Sequence, residues 1–198
     1  GDVVLWHTDM RPLDPEHWYD ELAGWAERLP QAGILGCKLL YPVQRDGRWV
    51  IQSAGGHLTK RYLPVHYGGG MDIFGADGDQ GVPAAVLDDG RFDEPRRVDW
   101  VTFGGCYIRR AVLDAIGDFD PDYKFSYYSD ADYCLRAARA GFEIWYVPVP
   151  IFHDEGRDNK RRADIESIRD ANKRLFKKKW RPSPIVRAAR KLFPKVFS

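Results

Sequence analysis

Short continuous apolar runs alternate along this chain with stretches of helical period. Val3 to Trp6 is the first run, of strand length, and it delivers His7, Thr8 and Asp9 at its C-terminal end. Asp14-Pro15-Glu16 predicts a helix start, with a capping Asp, Pro at the first helical position and an early acid. Trp18, Leu22, Trp25 and Leu29 mark one apolar face of that helix, and Pro30 ends it. Ile34 to Tyr41 is nearly continuous in apolar residues, as a central strand covered on both faces would be. Arg45-Asp46-Gly47-Arg48 carries a hairpin-turn signal, so Trp49 to Gln52 should return as a strand. From Gly55 to Arg97 the periodicity disappears, and glycines cluster at Gly68-Gly69-Gly70 and again at Gly75, Gly78 and Gly81. So long an irregular segment inside a compact domain is usually functional or mobile. Asp99 to Ile108 reads as a strand in which Gly104-Gly105 marks a bulge or a close approach. Arg109 to Ile116 reads as a short helix closed by Gly117.

The clearest helical signal lies in Tyr127-Tyr128-Ser129-Asp130-Ala131-Asp132-Tyr133-Cys134-Leu135-Arg136. Ala131, Cys134, Leu135 and Ala138 form an apolar stripe, Ser129 or Asp130 is a fitting N-cap, and Gly141 is a natural stop. Asp132 and Arg136 are spaced to pair along the exposed side. An apolar run from Ile144 to Val147 leads on to Pro150-Ile151-Phe152-His153-Asp154. Further on, Ile165, Ile168, Ala171, Leu175 and Phe176 return at helical spacing, and Pro182 and Pro184 break the pattern before a second amphipathic piece, Ile185 to Phe197.

Composition changes this picture only at the edges. A chain of 198 residues, 44% hydrophobic and 30% charged, is that of a soluble domain with room for a substantial core. No apolar run approaches a membrane span. Cys37, Cys106 and Cys134 lack metal-site spacing and each lies in an apolar segment, which predicts buried free thiols and a reducing, cytoplasmic compartment. The net charge is +1, yet no acidic residue follows Asp170 while ten basic ones do. The chain is therefore divided into a body, 1–160, and a basic helical tail, 161–198. The tail suits either peripheral contact with an anionic membrane surface or a packed helix with solvated lysines. No nucleic-acid recognition motif accompanies the charge, and no nucleic-acid partner is expected.

The candidate chemistry is carried by carboxylates and imidazoles at element ends. Asp9 follows one strand and His153 another, and these are the ligand types that hold a divalent cation. On strand grammar alone, Asp9 reads equally well as a turn residue. Asp130 reads either as a helix cap or as a general base near such a cation.

Taken in order, these residues resemble a known family. Strand-x-x-Asp9, Gly104-Gly105-Cys106-Tyr107-Ile108-Arg109-Arg110, the Tyr127 to Arg136 stretch and Ile151-Phe152-His153-Asp154-Glu155-Gly156 are similar to the family 2 glycosyltransferases with the GT-A fold. Ile34-Leu35-Gly36-Cys37-Lys38-Leu39-Leu40-Tyr41-Pro42 followed by Ile51-Gln52-Ser53-Ala54-Gly55-Gly56 adds to the likeness, which runs from about Val3 to about Trp180. The pattern departs from the family at His7, where an acidic residue or Asn is usual, and at Ser129, where Glu is usual.

The resemblance implies an α/β fold: a partial GT-A-like mixed sheet flanked by helices, without most of the nucleotide-binding half, plus the basic tail. It implies transfer of a sugar from a nucleotide-sugar donor to a glycan, lipid-linked or protein acceptor, with inversion. Asp130 would be the base, Asp9 and His153 the ligands of Mn or Mg, and His7 and Asp9 would lie at the donor. Trp100, Gly104, Gly105 and Asp132 would border the acceptor. A non-catalytic glycan- or protein-binding module, or one half of a split enzyme, is the alternative. In either case the apolar strand Val3 to Trp6 predicts self-association, or a partner supplying the nucleotide-binding half.

Overall fold

The computed structural model describes residues 1–68, 86–124, 127–154 and 162–182. Its strands are β1 (Val3–Leu5), β2 (Met10–Pro12), β3 (Ala32–Arg45), β4 (Arg48–Ser53), β5 (Gly56–Leu58), β6 (Pro64–His66), β7 (Arg96–Arg97), β8 (Cys106–Ile108) and β9 (Glu143–His153). Its helices are α1 (Trp18–Arg28), α2 (Arg110–Ile116), α3 (Ser129–Arg139) and α4 (Arg162–Trp180). Among the described residues the main sheet has seven strands, in the order β1-β8-β3-β9-β2, with β4 added to β3 and β7 to β9. β3 and β9 run parallel at its centre, and β1, β8, β2 and β4 join antiparallel.

The centre of the sheet is covered on both faces, as the apolar run in β3 predicts. Leu35, Cys37 and Leu39 of β3 and Val147, Val149 and Ile151 of β9 pack with Leu22 and Ala26 of α1. The alternating residues, Ile34 and Leu40 of β3 and Ile144 and Tyr146 of β9, pack with Val112 of α2, Ala131 and Cys134 of α3 and Phe176 of α4. The three thiols are free and buried. Gly36 lets the segment after β7 cross β3, because a Cβ there would stand 2.3 Å from the Cβ of Val101.

Turn and cap chemistry fixes the joins. Asp46 and Gly47 both have positive φ (51° and 71°), which makes the β3–β4 connection the tight hairpin its sequence predicts. The Asp14 carboxylate accepts from the backbone N–H groups of Glu16 and His17, and α1 starts a turn later than Asp14-Pro15 suggests. Arg109 donates to the carbonyls of Ala26, Leu29 and Ala32, closing the end of α1 against the sheet.

Several expectations are corrected. The strand expected over Asp99 to Ile108 is confined to β8, because Gly105 turns the backbone left-handed (φ 64°) just before it. The irregular stretch holds the β5–β6 hairpin and β7, while 69–85, with most of its glycines, lie outside the described residues. Beyond the expected 160/161 boundary, α4 buries Asn172, Phe176 and Trp180, and the two aromatic residues join the core of the sheet. The second amphipathic piece, 185–197, lies outside the described residues.

Candidate active site

Three groups converge where β1 and β9 end and β2 begins. β1 runs out at Leu5, and the turn His7-Thr8-Asp9 is closed by the Met10 N–H donating to the His7 carbonyl (3.2 Å). β2 then pairs Met10 with His153, and the Asp154 N–H donates to the Asp9 carbonyl (3.0 Å). That register sets the His153 Nε2 3.5 Å from the Asp9 Oδ2. The His7 and His153 rings meet edge to face at 5.9 Å. One ligand atom from each of His7, Asp9 and His153 lies within 4.8 Å of the other two. The resemblance assigns His7 to the donor side; the geometry adds it to the ligand-type cluster. The signal for this is its place two residues before Asp9, which the turn folds onto the same spot.

The surroundings prepare this cluster for a cation. His153 Nδ1 lies 2.8 Å from Gln52 Oε1 on β4; in the tautomer that donates there, Nε2 is the nitrogen free to ligate beside Asp9. Burial holds the His153 imidazole below its usual range, with Asp9 pulling the other way. The ring is thus neutral at neutral pH, which is the ligating form. Ligand atoms about 2.1 Å from a common ion stand roughly 3–4 Å apart, so the cluster closes on one with small rotamer shifts of His7 and Asp9, both exposed. Two nitrogens and one oxygen suit Mn better than Mg, which favours all-oxygen shells.

The Gly104-Gly105 turn runs beside the cluster. A Cβ at Gly104 would collide with the tip of Met10 (2.8 Å) and reach 3.7 Å from the His7 Nδ1. The close approach is therefore to β2 and His7. Its neighbour Val101 offers its carbonyl to the Cys134 thiol of α3 (3.8 Å), which links the cluster side of the turn to that helix.

Asp130 stands in the first turn of α3. Neither Ser129 nor Asp130 caps the helix; the cap position is Tyr128, in left-handed conformation without a side-chain cap bond. The Asp130 carboxylate instead accepts from the Ala131 N–H (2.8 Å). Desolvation raises its carboxyl to about 6, against smaller opposing effects from backbone N–H groups. A carboxylate raised toward neutral pH is suited to proton transfer.

The other residues assigned to the acceptor have these surroundings. Asp132 is 1% exposed, and its carboxylate accepts from Trp180 Nε1 (2.7 Å), Lys179 Nζ (2.9 Å), Arg136 Nε (3.2 Å) and the Tyr123 hydroxyl (3.3 Å). The pairing with Arg136 is present, but on a buried side of α3, and the carboxylate is occupied by protein donors. Trp100 is buried under the β5–β6 hairpin against the His66 ring (4.6 Å). Gly105 packs near Cys37 and Ile151.

Residues 89–181 match the family described as glycosyltransferase like family 2. Over 166 residues the chain is 28% identical to "Uncharacterized protein y4gI" of Sinorhizobium fredii (strain NBRC 101917 / NGR234), an alignment taking in 78% of this chain. It spans only 15% of the length of that relative. Residues 89–181, a little under half of the chain, are thus similar to that family, and the mixed α/β sheet flanked by helices is consistent with a partial GT-A-like fold.

Proposed function

We propose that this chain is the metal-binding and acceptor-side part of an inverting glycosyltransferase. It would move a sugar from a nucleotide-diphosphate donor to a hydroxyl of a glycan, lipid-linked or protein acceptor. The observation that carries this reading is the convergence of His7, Asp9 and His153 beside the Gly104 turn. Asp9 and His153, joined by His7, would hold Mn or Mg, and a bound cation of this kind neutralises a diphosphate leaving group. In the tautomer that donates to Gln52, the His153 Nε2 is free for such binding. Asp130 takes the proton from the acceptor hydroxyl as it attacks the anomeric carbon from the opposite face, a contribution of about 10²–10⁴-fold in general-base catalysis. The test is Asp130→Asn in the whole polypeptide that contains this chain, assayed against a panel of nucleotide-diphosphate sugars. Loss of transfer with folding intact is expected; wild-type turnover would remove Asp130 from the role of base.

A second reading is favoured by β1. It lies at the end of the sheet and bonds to β8 on one side, and among the described residues no strand pairs with its other edge. On this reading the nucleotide-binding strands come from elsewhere, in the same polypeptide or in a partner, and a chain lacking them binds glycan or protein without catalysis. Nucleotide binding by the isolated chain separates the two.

A further inference from the structure

The approach to α3 is conformationally costly. Tyr127 and Tyr128 both have left-handed backbone (φ 61° and 71°), a region that bulky residues rarely enter. Such residues persist where the surroundings determine them. Here the determining contacts come from α4. Asn172, 1% exposed, donates its amide to the carbonyls of Lys124 (2.8 Å) and Tyr127 (3.1 Å) and accepts from the Lys124 N–H (3.2 Å). One turn on, Phe176 is fully buried with its ring 5.5 Å from that of Tyr128. A further turn on, Lys179 and Trp180 reach Asp132, and Lys179 also reaches Asp120 (2.8 Å). Positions 172, 176, 179 and 180 fall on one stripe of α4, so a single helix face holds the chain before Asp130 and after it.

We propose that Asn172, Lys179 and Trp180 are positioning residues for Asp130. They fix the backbone at Lys124 and Tyr127 and the side chain of Asp132, and so hold the half-buried Asp130 carboxylate in place at the start of α3. This role rests on the reading of Asp130 as the base, but the geometry it asserts is measurable without turnover. The titratable groups facing Asp130 are the thiols of Cys106 on β8 and Cys134 on α3, and burial pushes both far up, so they stay protonated.

The experiment is a carbon-detected NMR titration of the Asp130 carboxyl in the full chain, with amide exchange at Ala131, whose N–H bonds that carboxylate. In Asn172→Ala the midpoint should fall from about 6 toward the ordinary carboxylate value, and Ala131 exchange should quicken by about tenfold or more. Trp180→Phe keeps a ring but removes the donor to Asp132; it should move both readouts the same way by less, and it carries the test if Asn172→Ala does not fold. Val112→Ala, in the core at α2, loosens packing without touching this network and should leave both readouts unchanged. The proposal is overturned if the folded Asn172 or Trp180 variants titrate and exchange as the wild type does, or if Val112→Ala shifts both equally. Retained transfer in Asp130→Asn would instead overturn the base assignment and leave these readouts standing.

Discussion

Asp130 and Asp132 stand two positions apart on one helix, and their surroundings put them to opposite uses. Asp132 faces four protein donors, so its negative charge is needed where it is. Asp130 has a backbone N–H and little else to offset its desolvation, and its carboxyl is raised to about 6. A carboxyl raised above its unfolded value contributes stability below the unfolded value, near 3.8, and that contribution is lost as pH rises through about 6. Asp130→Asn should therefore stabilise the fold at pH 7.5 by about 1–3 kcal/mol, with the gain vanishing near pH 4. Urea denaturation at the two pH values checks this; an equal effect at both would show that Asp130 is not held against its charge. The sequence reveals that these two carboxylates sit at a helix start. It does not reveal which is buried in a network, because the partners, Tyr123, Lys179 and Trp180, come from distant segments. For His7 the sequence carries its place two residues before Asp9, and the turn at Thr8 is what folds it toward Asp9 and His153.

Elements with strong periodicity are where sequence and structure agree. The face of α1, the two-sided burial of β3 and the β3–β4 hairpin follow from local pattern and turn chemistry. The stripe expected on α3 is displaced: Ala131 and Cys134 are buried, but so are Asp132, Tyr133 and Ala137, and Ala138 is exposed. The β5–β6 hairpin escapes such reading because its strands are three residues each and carry glycine and proline. α4 is read as a tail for a different reason: its charge run hides the stripe Asn172, Phe176, Lys179, Trp180 that faces the core. Lys179 is the instructive member, a basic residue whose ammonium is spent on Asp120 and Asp132. Asp132→Ala should leave the buried Trp180 indole N–H without its acceptor and remove one partner each from Lys179 and Arg136, which keep Asp120 and the Ile116 and Asp118 carbonyls, and cost about 2–4 kcal/mol. A variant within 0.5 kcal/mol of wild type, on the usual scale of neutral surface changes, would show the network to be incidental. Gly36→Ala should cost about 1–3 kcal/mol or more, because its Cβ meets that of Val101, part of the crossing backbone rather than a mobile tip. Thermal melts of the variant read this directly.

At the scale of the whole molecule, the sheet brings its chemistry to one end of β1, β2 and β9, while β1 has an open edge among the described residues. No helix among the described residues is long and apolar enough to cross a membrane. An open edge is a template for pairing, so the isolated chain should sediment faster as its concentration rises. A constant sedimentation coefficient across the series would mean that the edge is protected. The central claim is that His7, Asp9 and His153 form one cation site serving a diphosphate. Its most direct test is calorimetric titration of Mn into the protein with a nucleoside diphosphate present, for wild type and for Asp9→Ala combined with His153→Ala. The account predicts one saturable ion in the wild type, held more tightly than Mg, and an affinity at least about tenfold weaker in the double variant with its circular dichroism unchanged. Equal Mn affinity in the two proteins would contradict it.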